Sequence, residues 1–328
     1  MTTFGDMVFY LGGIPVAGGM ALPLMGGSGV AYFVDPANGS TSNDGLTPQT
    51  ALASVGAAYA KCVDKSGDTI YFLNDGNTTG SSREATIPLV WAKDNVHLVG
   101  WCAPTFISQR SRITPVATAA LLEAPVLDVT GHGNIFANVQ IAHFGADTDS
   151  KGTQGVAVSG SRNYFYNVHI VGIVNDHGGD ETDSVDLLID GGSENLFKNC
   201  TIGIDTVKRS TTNASVELTT AAARNVFDGC IFPMLADNAG ALFVKADAAG
   251  DLDRFVLFKN CSFINAVEST GLSLTSAVNV HNDAAGVVMF HNCQIAGAAN
   301  VAAADNGNVW VDGVGGAATG GLSIVATQ

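Results

Sequence analysis

The residues best suited to do chemistry cluster in one loop, Asn175-Asp-His-Gly-Gly-Asp-Glu-Thr-Asp183, with Asp186 just beyond it. Asp176, Asp180, Glu181 and Asp183 offer the hard oxygen donors that Ca²⁺ takes, and His177 beside them titrates nearest neutrality. Two features count against a site. The spacing matches no EF-hand loop, and no Arg or Lys lies within the loop to act as a base. A run of charge is also what a solvated loop looks like. The expectation is an exposed acidic loop, with Ca²⁺ binding or acid–base work as the alternative. No catalytic residue, metal site or cofactor is assigned.

The remaining reactive side chains give no constellation. His97, His132, His143, His169 and His291 are scattered, and the sequence has neither a Gly-rich phosphate loop nor a nucleophile motif. Same-face positions of successive strands, aligned as Ala157, Asp186, Glu217 and Phe243, form no aspartate set of the kind a hydrolase uses. Cys200, Cys230, Cys261 and Cys293 occupy one recurring position where Val139 and Val168 stand in earlier copies. A slot that accepts Val or Cys is a small apolar packing site. With no CxxC or Cys/His spacing, reduced buried thiols are expected, as are Cys62 and Cys102 in structural roles, and a reducing compartment follows.

Composition narrows the partners. Thirty acidic against fifteen basic residues give a formal charge of −15, so no basic stripe exists to neutralise a nucleic acid backbone. The first Lys or Arg is Lys61, which argues against a secretory leader with a basic start. Glycines and prolines break the apolar stretch at the start of the chain, so a membrane helix is not expected there.

The elements that must carry these residues are legible as a repeat. Phe136, Phe165, Phe197, Phe227, Phe258 and Phe290 recur every 29 to 32 residues, each inside a block such as Asn195-Leu-Phe-Lys-Asn-Cys-Thr-Ile202. A period held over six copies is the mark of a stacked array in which each unit buries its apolar face against the next. Phe and the Cys/Val position are three residues apart, an odd number, so one straight strand cannot point both inward. The chain must turn at Asn138, Asn167, Asn199, Asn260 and Asn292, with Gly229 in the fourth copy, residue types that tolerate left-handed backbone geometry. Stacked Asn side chains there can form a hydrogen-bonded ladder. A second strand precedes each block, from Val126–Val129 to Val278–Val280, and no helical segment intervenes. These features predict an all-β solenoid.

The blocks resemble the right-handed parallel β-helix, or pectin-lyase-like, superfamily, in which an Asn ladder occupies the turn between two sheets. Tyr32-Phe-Val-Asp-Pro-Ala-Asn-Gly-Ser40, Asn43-Asp-Gly-Leu-Thr-Pro48, a small-residue helix from Ala51 to Cys62 and the strand Gly67–Leu73 are similar to the opening of such proteins. The resemblance implies a cap helix on the first coil. The expected organisation is an apolar arm (1–30) and a β-helix (31–315), with cap at 31–73, early coils at 74–125, clear repeats at 126–295 and a last coil at 296–315. A tail (316–328) follows.

Two apolar features require partners. The arm carries Phe4, Met7, Phe9, Tyr10, Leu11, Met20, Leu22, Leu24 and Met25. It either folds back over the open end of the solenoid or docks into another protein. The residue before each Phe (Ile135, Tyr164, Leu196, Val226, Leu257, Met289) forms a line that is a self-association surface if it points outward. Many members of the superfamily cleave acidic polysaccharides, yet this chain lacks their carboxylate and Arg or Lys pattern. It resembles the bacteriophage virion proteins of this fold. The resemblance implies a non-enzymatic capsid decoration or cement protein, made in the host cytoplasm. That protein would be anchored by its arm on the major capsid or another virion protein and stand alone or as a homotrimer. A carbohydrate-active tailspike or depolymerase, tested at Asp180, Glu181 and Asp183, is the alternative, and a glycan-binding module a second.

Overall fold

The computed structural model describes residues 29–74, 81–84, 87–116, 124–144, 153–266, 272–302, 307–312 and 314–315. The arm residues Phe4 to Met25 and the tail from 316 lie outside the described residues. The described chain winds as a right-handed parallel β-helix with three sheets along its length. Sheet 1 runs from Ala31–Val34 and Thr69–Phe72 through the six Phe strands to Val309–Val311, where Val314–Gly315 adds an antiparallel edge. Sheet 2 stacks the strands that follow the Asn turns, such as Gln140–Ala142, His169–Val171 and Thr201–Ile202. Sheet 3 stacks the strands that precede each block, from Leu89–Trp91 to Val278–Val280. The early region, where the sequence pattern fades, supplies Ser82–Glu84, Leu89–Trp91, His97–Gly100 and Arg112–Pro115 to all three sheets.

The core is a column of rings. Phe136, Phe165, Phe197, Phe227, Phe258 and Phe290 are partners in register, with centroids 4.5 to 5.1 Å apart and interplanar angles of 9° to 12°. Offset stacking at that spacing adds to a burial worth about 1.5–3 kcal/mol per ring. The Cys column lies beside it, all six cysteines being free thiols. Cys200, Cys230 and Cys261 are buried, and each thiol donates to the carbonyl of a Phe in the preceding coil, as in Cys230 Sγ to Phe197 O at 3.3 Å.

Two asparagine columns fix the turns. Asn138, Asn167, Asn199, Asn260 and Asn292 have φ of 50° to 55°, with Gly229 at 69°. Asn167 Nδ2 donates to Asn138 Oδ1 at 3.0 Å and Asn292 Nδ2 to Asn260 Oδ1 at 2.8 Å. A Cβ at Gly229 would lie 2.6 Å from Asn199 Oδ1, so this column is interrupted there. The second column, Asn134, Asn163, Asn195 and Asn225, is buried throughout. Each side-chain oxygen accepts the backbone N–H of the preceding coil: Val96, Asn134, Asn163 and Asn195 donate in turn at 2.8 to 3.0 Å. Three of these amides also donate to the carbonyls of Gly131, Gly160 and Gly192. The chain bends sharply between sheets 3 and 1, and these amides satisfy backbone groups that no ladder can reach.

The cap is a shorter helix than the sequence suggests. It spans Val55–Lys61, because Ser54 caps it and the preceding residues form a 3-10 turn at Pro48–Thr50. Its face buries Val55, Ala58 and Tyr59, and the Tyr59 ring lies 4.3 Å from Trp91 at a tilt of 31°, while Trp91 meets Phe136 edge-on. Lys93 Nζ donates to the carbonyls of Tyr59 and Cys62, closing the helix C-terminus. Among the described residues no helix is long and apolar enough to cross a membrane.

Candidate functional site

The acidic loop folds onto the rod without gathering its carboxylates. Asp176–Asp180 is one short helical turn, capped by Asn175 Oδ1, which accepts from Gly178 N at 2.8 Å. Glycine is required at 179, because a Cβ there would lie 2.0 Å from Lys208 O. Asp176, Asp180 and Asp183 are exposed and Glu181 is half-buried. Among the described residues, no three His, Cys, Asp or Glu side chains come together as a metal site.

Asp186, grouped with this loop by sequence, belongs to a different structure. It is wholly buried and bonded to Arg209 Nη2 at 2.5 Å, while its other oxygen accepts from Gly172 N and Ile173 N. Burial pushes its carboxyl pKa up, opposed by the Arg209 guanidinium and the two N–H donors. This pair fastens the short strand Lys208–Arg209 to sheet 3. The strand alignment also differs from the sequence reading. Ala157 is in register with Leu188, Glu217 and Lys245, whereas Asp186 sits between Gly155 and Ser215, two residues out of step with Glu217.

The histidines are structural where they are most buried. His169 points outward from sheet 2 yet lies beneath the segment around Ser108. Its Nδ1 faces Ser108 N and Gln140 Nε2, and its Nε2 faces Gly203 O, which assigns the proton to Nε2. Gln140 in turn accepts from Arg112 Nε at 2.6 Å. Burial lowers the His169 pKa to about 4, and burial does the same to His97, whose Nδ1 accepts from Ile135 N. Both are neutral at pH 7.

Among the described residues, a concavity large enough for a ligand lies over sheet 3. It is a cleft of about 320 Å³ between the outer face of Leu242–Ala246 and Val278–Val280 and the loops that lead into sheet 3. Thr182 and Asp183 of the acidic loop reach its wall, with Thr212, Thr275, Ser276 and Asn279. Its one lining cation is Lys245, held by Glu217 at 3.0 Å and Asp247 at 3.2 Å, and Asn279 Nδ2 donates to Asp247 Oδ1 at 2.8 Å. Burial works against the ammonium, but the two carboxylates outweigh it and hold its pKa above the ordinary lysine value. Lys245 is therefore held protonated, and Asp183, Asp247, Asn279 and the Thr and Ser hydroxyls supply the cleft's other polar groups. Asp183 was legible as a candidate; Lys245 and Asn279 were not, because they lie in strands whose outward rows carry no motif.

The outward line on sheet 1 is also placed. Tyr164, Leu196, Val226, Leu257 and Met289 are outward and half-buried between neighbouring rungs, and Trp310, paired with Met289, continues the line. Ile135 is a correction. It is only 7 % exposed, the His97 strand packing beside it, so the exposed line begins at Tyr164.

No family model and no curated protein matches this sequence. Solved structures do match. A rhamnogalacturonan lyase superposes with a TM-score of 0.58 at 13 % identity, over 86 % of this chain and 73 % of that one. Pectate lyase Pel9A gives 0.52 at 19 %, over 82 % of this chain and 65 % of that one, so this chain spans just under two thirds of its length. The pectin methylesterase from Aspergillus niger gives 0.51 at 17 %, over 91 % of both chains. At such identities the likeness is one of fold. With its three parallel sheets and its Phe and Asn columns, the chain is a right-handed parallel β-helix of the pectin-lyase-like fold.

Proposed function

We propose that this chain is a non-enzymatic structural protein of a virus particle, a decoration or cement protein anchored by its apolar arm. The observation that carries the reading is where the arm joins the rod. Val30 N donates to Asp68 Oδ1 at 2.6 Å and Ala31–Val34 is the first strand of sheet 1, so the arm leaves from the capped extremity. An anchor at one end lets the rod project from a surface. The test adds purified protein to particles that lack it and measures cosedimentation. Full-length chain should bind, and a chain beginning at Gly29, with its β signal intact by circular dichroism, should not. Equal binding by both sinks the arm as anchor.

The cleft favours a second reading, saccharide binding. Its wall of Thr, Ser, Asn and carboxylate groups around Lys245 suits pairs of sugar hydroxyls. The fold neighbours include a pectate lyase, a rhamnogalacturonan lyase and a pectin methylesterase, and catalysis at this cleft is the competing outcome. Immobilised acidic and neutral glycans would report binding, lost in Lys245→Ala and Asn279→Ala. Shortening of an anionic polysaccharide, abolished in Asp180→Ala, Glu181→Ala and Asp183→Ala, would instead mark an enzyme.

A further inference from the structure

The outer face of sheet 1 carries three parallel rows, at positions two before, at, and two after each half-buried apolar residue. In three consecutive rungs the rows read Arg162–Tyr164–Tyr166, Glu194–Leu196–Lys198 and Arg224–Val226–Asp228. The first row is fixed by left-handed backbone at Arg162, Glu194 and Arg224, with φ of 54° to 60°, and by ion pairs from Arg162 and Arg224 to Glu194 at 2.7 and 3.0 Å. The third row is fixed by strand register, Tyr166 to Lys198 to Asp228 to Lys259. In the Glu194 and Arg224 rungs the two borders carry opposite charge, with the sign reversed between them, and in the Arg162 rung the cation faces a tyrosine border. Beyond them the first row turns apolar, with Phe255 and Val287 beside Leu257 and Met289.

We propose that this face is the contact between parallel copies of this chain, related by a rotation axis along the rod. Such a rotation sets the first row of one copy against the third row of its neighbour at the same rung. Glu194 then meets Lys198 of the next copy, Arg224 meets Asp228, and the Arg162 guanidinium meets the Tyr166 ring. The apolar middle row closes at the centre, giving a dry core between charged rims, the layout of a specific interface. The pairing closes around two copies, so each contact is made twice. It does not depend on the arm being an anchor.

Solution mass of the full-length chain tests it, against a chain mass of 33.6 kDa. The expected result is a multiple of that mass, falling to a single chain in Val226→Glu. Lys198→Glu alone and Glu194→Lys alone should each weaken association by about tenfold or more, since each sets like charges together at every contact. An equimolar mixture of these two variants should re-associate, because Lys at 194 of one then faces Glu at 198 of the other. In an antiparallel pairing position 194 meets Arg224 instead, and the mixture is not rescued. A full-length monomer, an oligomer unmoved by Val226→Glu, or failure of the mixture to recover would each overturn the proposal.

Discussion

Asp186 and Arg209, 23 residues apart in sequence, form an ion pair in which neither side chain reaches solvent. Removing one partner strands a buried charge, at a cost of about 3–5 kcal/mol, whereas replacing both with apolar residues of similar volume is close to neutral. Asp186→Asn or Arg209→Met alone should therefore lower the urea midpoint sharply, and the double variant, in which the amide oxygen at 186 still accepts from Gly172 N and Ile173 N, should recover much of the loss. Equal midpoints for single and double variants would contradict the pairing.

Asn195 does more for stability than the exposed Asn260. It accepts from Asn163 N and donates to Gly160 O inside the rod. Asn195→Ala leaves both backbone groups buried without these partners, which is expected to cost about 2–6 kcal/mol at roughly 1–3 per group. Asn260→Ala, at the solvent-facing turn, should cost under about 1 kcal/mol, both read by denaturant unfolding.

The repeat was legible because the Phe, Asn and Cys positions recur at a fixed period, and a period survives changes in the loops between. The second Asn column was written into the first residue of four blocks, Asn134, Asn163, Asn195 and Asn225, and replaced by Val256 in register with Asn225. Its role was hidden because its partners are backbone groups one coil away. Asp186–Arg209 and the sheet 3 cleft join residues from loops of unequal length, so no spacing announces them. Ile135 shares its register with the half-buried line but is itself buried.

Stability should fall on mild acidification. His97 and His169 have folded pKa values of about 4, below the ordinary value of 6.5, so the unfolded chain binds protons more readily. Their contribution is complete above pH about 6.5 and is lost as pH falls towards 4, on the order of 3 kcal/mol each. His169→Gln should flatten the pH dependence of the urea midpoint across this window. An unchanged slope would contradict the burial of a neutral ring.

The ring column sets a single-residue cost of the same order as the buried ion pair. Phe197→Ala should destabilise by about 3–5 kcal/mol, since rings press on it from both sides at 4.5 and 4.6 Å. Cys230→Val should stay within about 1.5 kcal/mol, the same slot holding Val139 and Val168 in earlier coils. Calorimetry of the two variants separates a packed column from a loose one.

The most direct measurement is the copy number of this chain in gradient-purified virus particles, by quantitative mass spectrometry against the major capsid protein. A structural role predicts a fixed ratio that survives washing and repeated banding. Recovery of the chain solely in the soluble fraction, with none in the particles, would contradict it.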